Sequence, residues 1–94
     1  MTWWVYMLEC SGGCIYVGHT EDLKARFAAH LAGTGAGFTR SHPPIRIAYS
    51  EEHSNELSAI TRERQLKRWS RAKKQAMIAG RLDRIHELAR RRRR

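Results

Sequence analysis

The stretch that decides the fold is WWVYMLECSGGCIYVG, residues 3–18. Two runs rich in aromatic and β-branched residues, 3–10 and 14–18, flank Ser11-Gly12-Gly13, the pattern of two antiparallel strands joined by a tight turn. The register of this hairpin decides where its tyrosines point, because side chains alternate between the faces of a strand. A two-residue turn at Gly12-Gly13 pairs Glu9 with Tyr16 and puts Tyr6 on the opposite face. A three-residue loop over Ser11-Gly12-Gly13 pairs Leu8 with Tyr16 and Tyr6 with Gly18, with both phenols on one side. Glycine suits the left-handed position of the longer loop, but the sequence allows either closure. Strand tyrosines are ordinarily amphipathic packing residues, so the hairpin alone assigns them no chemistry.

Downstream, Thr20 offers an N-cap, Glu21 and Asp22 place acids in a first turn, and Leu23, Phe27 and Leu31 recur at helical spacing up to Gly33. A Gly-, Thr- and Ser-rich stretch runs through Arg40. Pro43-Pro44 then precede IRIAYS, residues 45–50, in which Ile45, Ile47 and Tyr49 alternate as a third strand should. Helical spacing returns from about Ser54 to Trp69, with Ser70 as a cap for a further helix to about Ala79 and Gly80 as its stop. The order β-β-α-β-α-α describes an α+β domain: a three-stranded, largely antiparallel sheet flanked by helices. Residues 1–80 make up this domain. Residues 81–94 form a basic C-terminal tail, helical at first and then disordered, that ends in the five arginines Arg90 to Arg94.

A chain of 94 residues holds one domain with a modest core, and 41% hydrophobic against 29% charged residues lets most of it fold. No apolar run reaches membrane-spanning length. The N-terminus has no basic residue ahead of its apolar stretch and no small-residue cleavage site, which places the protein in the cytoplasm. Cys10 and Cys14 are the only cysteines. They are too few for a structural zinc site and read as small hydrophobes beside a turn.

Charge is strongly asymmetric. Residues 1–59 hold four Lys/Arg against six Asp/Glu, residues 60–81 hold eight against one, and residues 82–94 hold six against two, within a total of +9. A one-sided positive field favours a polyanion, most often nucleic acid, through phosphate neutralisation and counterion release.

One acid stands out against that basic background. Taking Leu57 as zero at about 100° per residue, Ala59, Ile60, Leu66 and Trp69 span an arc from about 120° to about 300°, and Glu63 falls near 240°, inside the apolar stripe. Arg62 and Lys67 lie nearer its edges, where long stems can snorkel. A glutamate so placed needs a cation or a donor to offset its desolvation: an arginine from elsewhere in the fold, or a metal ion. Arg26 and His30, four residues apart, share a face of the first helix and can converge on one phosphate, although by themselves they read as exposed. His19, His42, His53 and His86 read as surface or loop residues.

Taken in order, Tyr6, then Tyr16-Val17-Gly18, then Arg26 and His30, then Glu63 on a later helix, the sequence resembles the GIY-YIG endonuclease superfamily. The resemblance covers residues 3 to about 79. Within it, IYVGHTEDLKARFAAH and ITRERQLKRWSRAKK are similar to the compact stand-alone bacterial members, themselves similar to the catalytic subunit of the SLX structure-specific nuclease. The first signature reads Trp4-Val5-Tyr6 and keeps only the tyrosine; the second has Val17 for isoleucine. Some members also carry an asparagine beyond the glutamate helix, and this chain has none after Asn55.

The resemblance implies a metal-dependent endonuclease that hydrolyses DNA phosphodiester bonds, with branched or damaged DNA in repair or recombination as a first candidate substrate and RNA left open. By it, Tyr6, Tyr16, Arg26, His30 and Glu63 take the catalytic positions. Glu63 holds one hydrated Mg²⁺ or Mn²⁺, Arg26 holds the phosphoryl oxygens, and Tyr6 takes the proton of the attacking water while Tyr16 and His30 orient or relay it. An unperturbed phenol titrates near pH 10, so that role asks for nearby positive charge. Lys67, Arg68, Arg71, Lys73 and Lys74 bind backbone phosphates, and the arginine tail either adds non-specific attraction or only solubilises the chain end. The alternative is a non-catalytic module of the same fold that binds nucleic acid. A protein partner or a homodimer would supply further DNA contacts.

Overall fold

The computed structural model describes residues 1–81 together with residues 83 and 85. Its elements are β1 (Trp3–Cys10), β2 (Ile15–Thr20), α1 (Leu23–Leu31), α2 (Gly37–Ser41), β3 (Pro44–His53), α3 (Glu56–Lys67) and α4 (Arg71–Ile78). Between β1 and β2, Ser11–Gly13 form a single 3₁₀ turn in which Gly12 and Gly13 have φ of 79° and 75°, and the Cys10 N–H donates to the Cys14 carbonyl at 2.8 Å. Two successive left-handed residues are open only to glycine at little cost. The closure is therefore the three-residue one, with Leu8 opposite Tyr16 and Tyr6 opposite Gly18.

The sheet is antiparallel throughout, in the order β2-β1-β3. Its centre, β1, has Val5, Tyr6, Met7, Leu8 and Cys10 buried, and alternation sends them to two cores. Tyr6, Leu8 and Cys10 pack with Leu23 and Phe27 of α1, while Val5, Met7 and Val17 pack with Ala59 and Leu66 of α3 and with Met77 and Ile78 of α4. Full burial of such a side chain contributes about 1.5–3 kcal/mol, so both helical layers are held by the strand between them. Cys10 and Cys14 are free thiols, Cys10 buried beside the turn and Cys14 partly so.

The helix ends follow capping chemistry. The N-cap of α1 is Asp22, whose Oδ1 accepts from the Ala25 N–H at 3.0 Å, and not Thr20. The Thr20 hydroxyl instead accepts from the Asp22 N–H, which holds the capping residue in place. Asn55 and Ser70 cap α3 and α4. Both α1 and α4 end in a left-handed glycine, Gly33 and Gly80, with the paired backbone bonds that satisfy the last carbonyls. Helix α2 interrupts the stretch that composition marks as loop: five residues bounded by glycine and serine carry too little periodicity to be seen.

Strand β3 runs three residues beyond its apolar alternation, where Glu51 and His53 are partnered. Glu51 accepts from the Tyr49 hydroxyl at 2.6 Å and from Arg62 Nε at 3.0 Å, and it pairs with His53 Nε2 at 2.6 Å. His53 in turn contacts the Ser58 hydroxyl through Nδ1 at 2.7 Å. Arg62 and His53 thus tie β3 to α3, where the sequence places Arg62 at a stripe edge and His53 at the surface. Burial and the adjacent carboxylate push the Tyr49 phenol up to about 12. Burial also acts to raise the Glu51 carboxyl, but hydrogen bonds from Tyr49, His53 and Arg62 outweigh it and hold the pKa below its ordinary value.

The tail arginines Arg90 to Arg94 and His86 lie outside the described residues, as does most of the 81–94 segment; Ile85 is buried. Among the described residues, no helix is long and apolar enough to cross a membrane.

A carboxyl whose pKa is lower in the folded chain than in the unfolded one binds fewer protons when folded, so its contribution is whole above the ordinary carboxylate range. That contribution is lost as pH falls through the depressed folded value. Glu51→Gln is expected to lower stability by about 1–3 kcal/mol at neutral pH by unpairing Arg62. The deficit against wild type should close as pH falls below 4.5. Urea unfolding of both proteins across pH 3 to 7 reads this directly, and a pH-independent deficit would rule the clamp out.

Candidate active site

Pairing Tyr6 with Gly18 brings the sequence-predicted residues together. Tyr6 and Tyr16 lie on one face with ring centroids 6.4 Å apart, and the His30 ring stands edge-on to both, at 6.1 and 5.1 Å. Tyr6 Oη is 3.0 Å from His30 Nε2, and His30 Nδ1 is 2.7 Å from Thr39 Oγ1 on α2. His30 is 1% exposed, in contrast to the surface position that helical spacing alone suggests. Burial lowers its pKa, and the Arg26 charge lowers it further, so the ring is neutral near pH 7.

Two glycines make the packing possible. A Cβ on Gly18 would stand 2.5 Å from Tyr6 Oη, and one on Gly35 would stand 2.5 Å from His30 Nδ1. Real Cβ atoms do not approach so closely.

Tyr6 is the common neighbour of the set. Besides His30 and Tyr16, it feels the Arg26 guanidinium, which approaches its hydroxyl, and the negative charge of Glu63. Burial pushes the phenol up to about 12, against a partial opposing pull from Arg26. That is the wrong direction for a residue meant to take a proton, and Tyr6 is 2% exposed. Tyr16 is partly exposed and lines an open concavity of about 200 Å³ with Phe38, Lys67 and Lys74. Phe38 stacks on Tyr16 at 5.9 Å, and His42 stacks on Phe38 at 4.8 Å.

Glu63 lies in the apolar stripe of α3, between buried Ala59 and Leu66, with 14% of its side chain exposed. Its partners are not an arginine. His19 Nδ1 meets Oε1 at 2.8 Å and Lys67 Nζ meets Oε2 at 3.1 Å. His19, on β2 beside Trp3, also lies 3.9 Å from Glu56. Sequence reasoning missed His19 and Thr39, since each acquires its role from a partner more than eight residues away and neither sits in a periodic pattern.

The five basic residues expected to bind phosphate do not share one surface. Lys67 and Lys74 flank Tyr16, and burial, then the Lys67 charge, lowers the pKa of Lys74. Arg68 lies with Thr61, Arg64 and Trp69 on another face of α3, and Lys73 sits 4.3 Å over the Trp69 ring. Arg71 passes over Gly13 into a third concavity with Glu9 and Arg46.

Residues 2–76 match the family described as the GIY-YIG catalytic domain. The chain belongs to the GIY-YIG family. A UPF0213 protein of Xanthomonas axonopodis pv. citri is 42% identical over 85 residues, covering 90% of this chain and 83% of that one. A UPF0213 protein of Halobacterium salinarum is 41% identical over 74 residues, 79% of this chain and 96% of the relative. The solution structure of a UPF0213 protein from Bacillus halodurans superposes with a TM-score of 0.54 at 34% identity, covering 84% of each chain. GIY-YIG is a nuclease-type family whose members generally use a divalent metal and act on DNA. Of its two signature tyrosines, this GIY-YIG domain buries Tyr6 and leaves Tyr16 open to the concavity.

Gly18→Ala is expected to displace the Tyr6 ring and to cost about 1–3 kcal/mol through overpacking. Thermal unfolding and the NMR signals of the His30 ring check this together. An unchanged midpoint with unchanged His30 shifts would show that the phenol is not wedged over residue 18.

Proposed function

We propose that the chain is a divalent-metal-dependent endonuclease that hydrolyses DNA phosphodiester bonds where the hairpin, α1 and α3 meet. The observation that carries this reading is the shared neighbourhood of Tyr6: a guanidinium, a second phenol, a neutral imidazole and a partly buried carboxylate all act on one hydroxyl. A site that merely held phosphate would gain nothing from Glu63.

The donor set suits Mg²⁺ or Mn²⁺. Glu63 offers a hard oxygen donor, and among the described residues no group of three His, Cys, Asp or Glu side chains is placed to form a closed metal cage. That favours a cation that keeps most of its waters. When bound by Glu63, the cation supplies Lewis-acid stabilisation of the charge that develops on the leaving 3′ oxygen. Lys67, which pairs with the same carboxylate, would give way to such a cation, and its half-exposed amine would turn toward phosphate.

Arg26 holds the phosphoryl oxygens, a task for which its planar donor fork is shaped. The geometry favours Tyr16 over Tyr6 as the group that meets the attacking water, because Tyr16 opens on the concavity and has Lys67 and Lys74 beside it. Tyr6 and His30 then work from behind, fixing Arg26 and the hairpin. Lys67 and Lys74 bind the phosphates that flank the scissile bond, while Arg68, Arg71 and Lys73 engage nucleic acid farther out on other faces. A spread of contacts over several faces suits branched or damaged DNA better than a single straight duplex.

Purified protein incubated with supercoiled plasmid and with branched DNA in Mg²⁺ or Mn²⁺ tests the reading. Wild type should cut, EDTA should abolish cutting, and Glu63→Ala should lower the rate by about 100-fold or more, the loss of several kcal/mol of charge stabilisation. Binding without cleavage by wild type, or equal cleavage by Glu63→Ala, would leave only a binding module. In the same assay, Lys67→Ala should lower the half-saturating Mg²⁺ concentration about twofold, the scale of an exposed ion pair. An unchanged metal titration would mean that Lys67 does not compete for the carboxylate.

A further inference from the structure

The hydroxyl of Thr39 has one proton and two partners. It lies 2.9 Å from the Ala36 carbonyl oxygen, which can only accept, and 2.7 Å from His30 Nδ1. If the hydroxyl donated to the ring, two oxygens would face each other with lone pairs at 2.9 Å. Donating to Ala36 instead satisfies both contacts, and it obliges Nδ1 to carry the ring proton. In a neutral imidazole the other nitrogen, Nε2, is then an acceptor, so the Tyr6 hydroxyl must donate to it across 3.0 Å. Arg26 approaches that same hydroxyl and can only donate, which agrees with a Tyr6 proton turned toward His30.

We propose that Thr39 is a positioning residue of the site: its hydroxyl locks His30 in the Nδ1–H tautomer and so fixes the direction of the hydrogen bonds from the Ala36 carbonyl to the Tyr6 hydroxyl. Thr39 is 1% exposed and lies on a five-residue helix that has no other buried residue. The ring it holds is pressed against Gly35, where a Cβ would stand 2.5 Å from the same Nδ1. Without the hydroxyl, a buried Nδ1–H has no acceptor, a cost that favours the other tautomer. Nε2–H would then point at Tyr6, whose oxygen would receive donors from both His30 and Arg26 and would have to turn its own proton away. The hydroxyl that Arg26 approaches would then have no fixed orientation.

The proposal rests on the endonuclease reading only for its effect on rate; the tautomer is a property of the free protein. The ¹⁵N chemical shifts of the His30 ring, with its long-range proton couplings, distinguish the tautomers directly. Wild type should show Nδ1–H. Thr39→Val keeps the shape, and the Thr39 N–H bond to the Ala36 carbonyl at 3.1 Å needs no side chain. It should shift His30 to the Nε2–H form and slow cleavage about tenfold or more, the scale expected when a catalytic group loses its alignment. Thr39→Ser should restore both, and Gly35→Ala, by pushing the ring off Thr39, should reproduce the valine phenotype. A folded Thr39→Val protein that keeps Nδ1–H overturns the proposal, as does a serine variant that fails to rescue the tautomer. If wild type cuts nothing, the endonuclease reading fails while the tautomer result still decides the role of Thr39.

Discussion

Gly12 and Gly13 close the hairpin with two left-handed residues in succession, and that closure sets Tyr6 opposite Gly18. The rest of the site depends on this register. Closing the turn one residue shorter would carry Tyr6 to the face that packs on α3 and α4, where Val5, Met7 and Val17 now lie, and would set Tyr16 opposite a glutamate. His30 would then meet no phenol, and the glycine at 18 would have nothing to accommodate. The constraint is local and steric: a side chain at either turn glycine would meet the left-handed backbone penalty, and a side chain at Gly18 would meet the Tyr6 ring.

From that register the two faces of the sheet divide the work. On one face α1 and α2 assemble the aromatic and imidazole cluster. On the other, α3 brings Glu63 to His19 at the end of β2. Because β2 is an edge strand, the two sets are not sealed from each other by a further strand, and the Glu63 charge reaches Tyr6. The position of α3 therefore matters as much as the hairpin, and the Glu51 clamp to Arg62 and His53 sets it from the far edge. The clamp lies on β3, at the opposite edge of the sheet from the β2 residues that line the concavity, which separates what holds the helix from what its glutamate does.

The frame was legible in the sequence wherever a strong local signal exists: apolar alternation for the strands, helical spacing for α1 and α3, serine and glycine for the ends of α4. Glu63 was legible for the same reason, since a charge inside an apolar stripe is anomalous before any partner is known. What was not legible depends on meetings across the chain. Both hairpin registers were chemically admissible, and only the backbone angles at Gly12 and Gly13 decide between them. His30 looked exposed because its cover comes from the Gly35 loop and from Thr39, in a segment whose composition reads as loop. His19 and His53 meet carboxylates 44 and two residues away, respectively, through ring nitrogens. Charge counting placed the basic residues in the right third of the chain but could not distribute them among faces, which is why Lys67 and Lys74 reach the concavity while Arg68 and Arg71 do not.

The departures from the family signatures make sense in these terms. The first signature keeps only its tyrosine: Val5, at the isoleucine position, is a fully buried core residue facing α3, and Trp4, at the glycine position, is partly buried one residue earlier on the strand. The isoleucine position asks for apolar bulk in a strand, which valine provides, and at the glycine position the partly buried Trp4 finds room for a side chain. The glycine of the second signature cannot be traded in the same way, because Gly18 is where the Tyr6 ring lies. Support for the glutamate is likewise a matter of chemistry rather than of residue type. With no asparagine beyond α3, and with Asn55 occupied in capping that helix, Glu63 draws its donors from His19 and Lys67. Those donors are stronger than an amide, since one is a full cation. Lys67 is half exposed, so its compact ammonium on a flexible stem can leave the carboxylate for solvent at little cost, where the rigid fork of an arginine would hold it in one geometry.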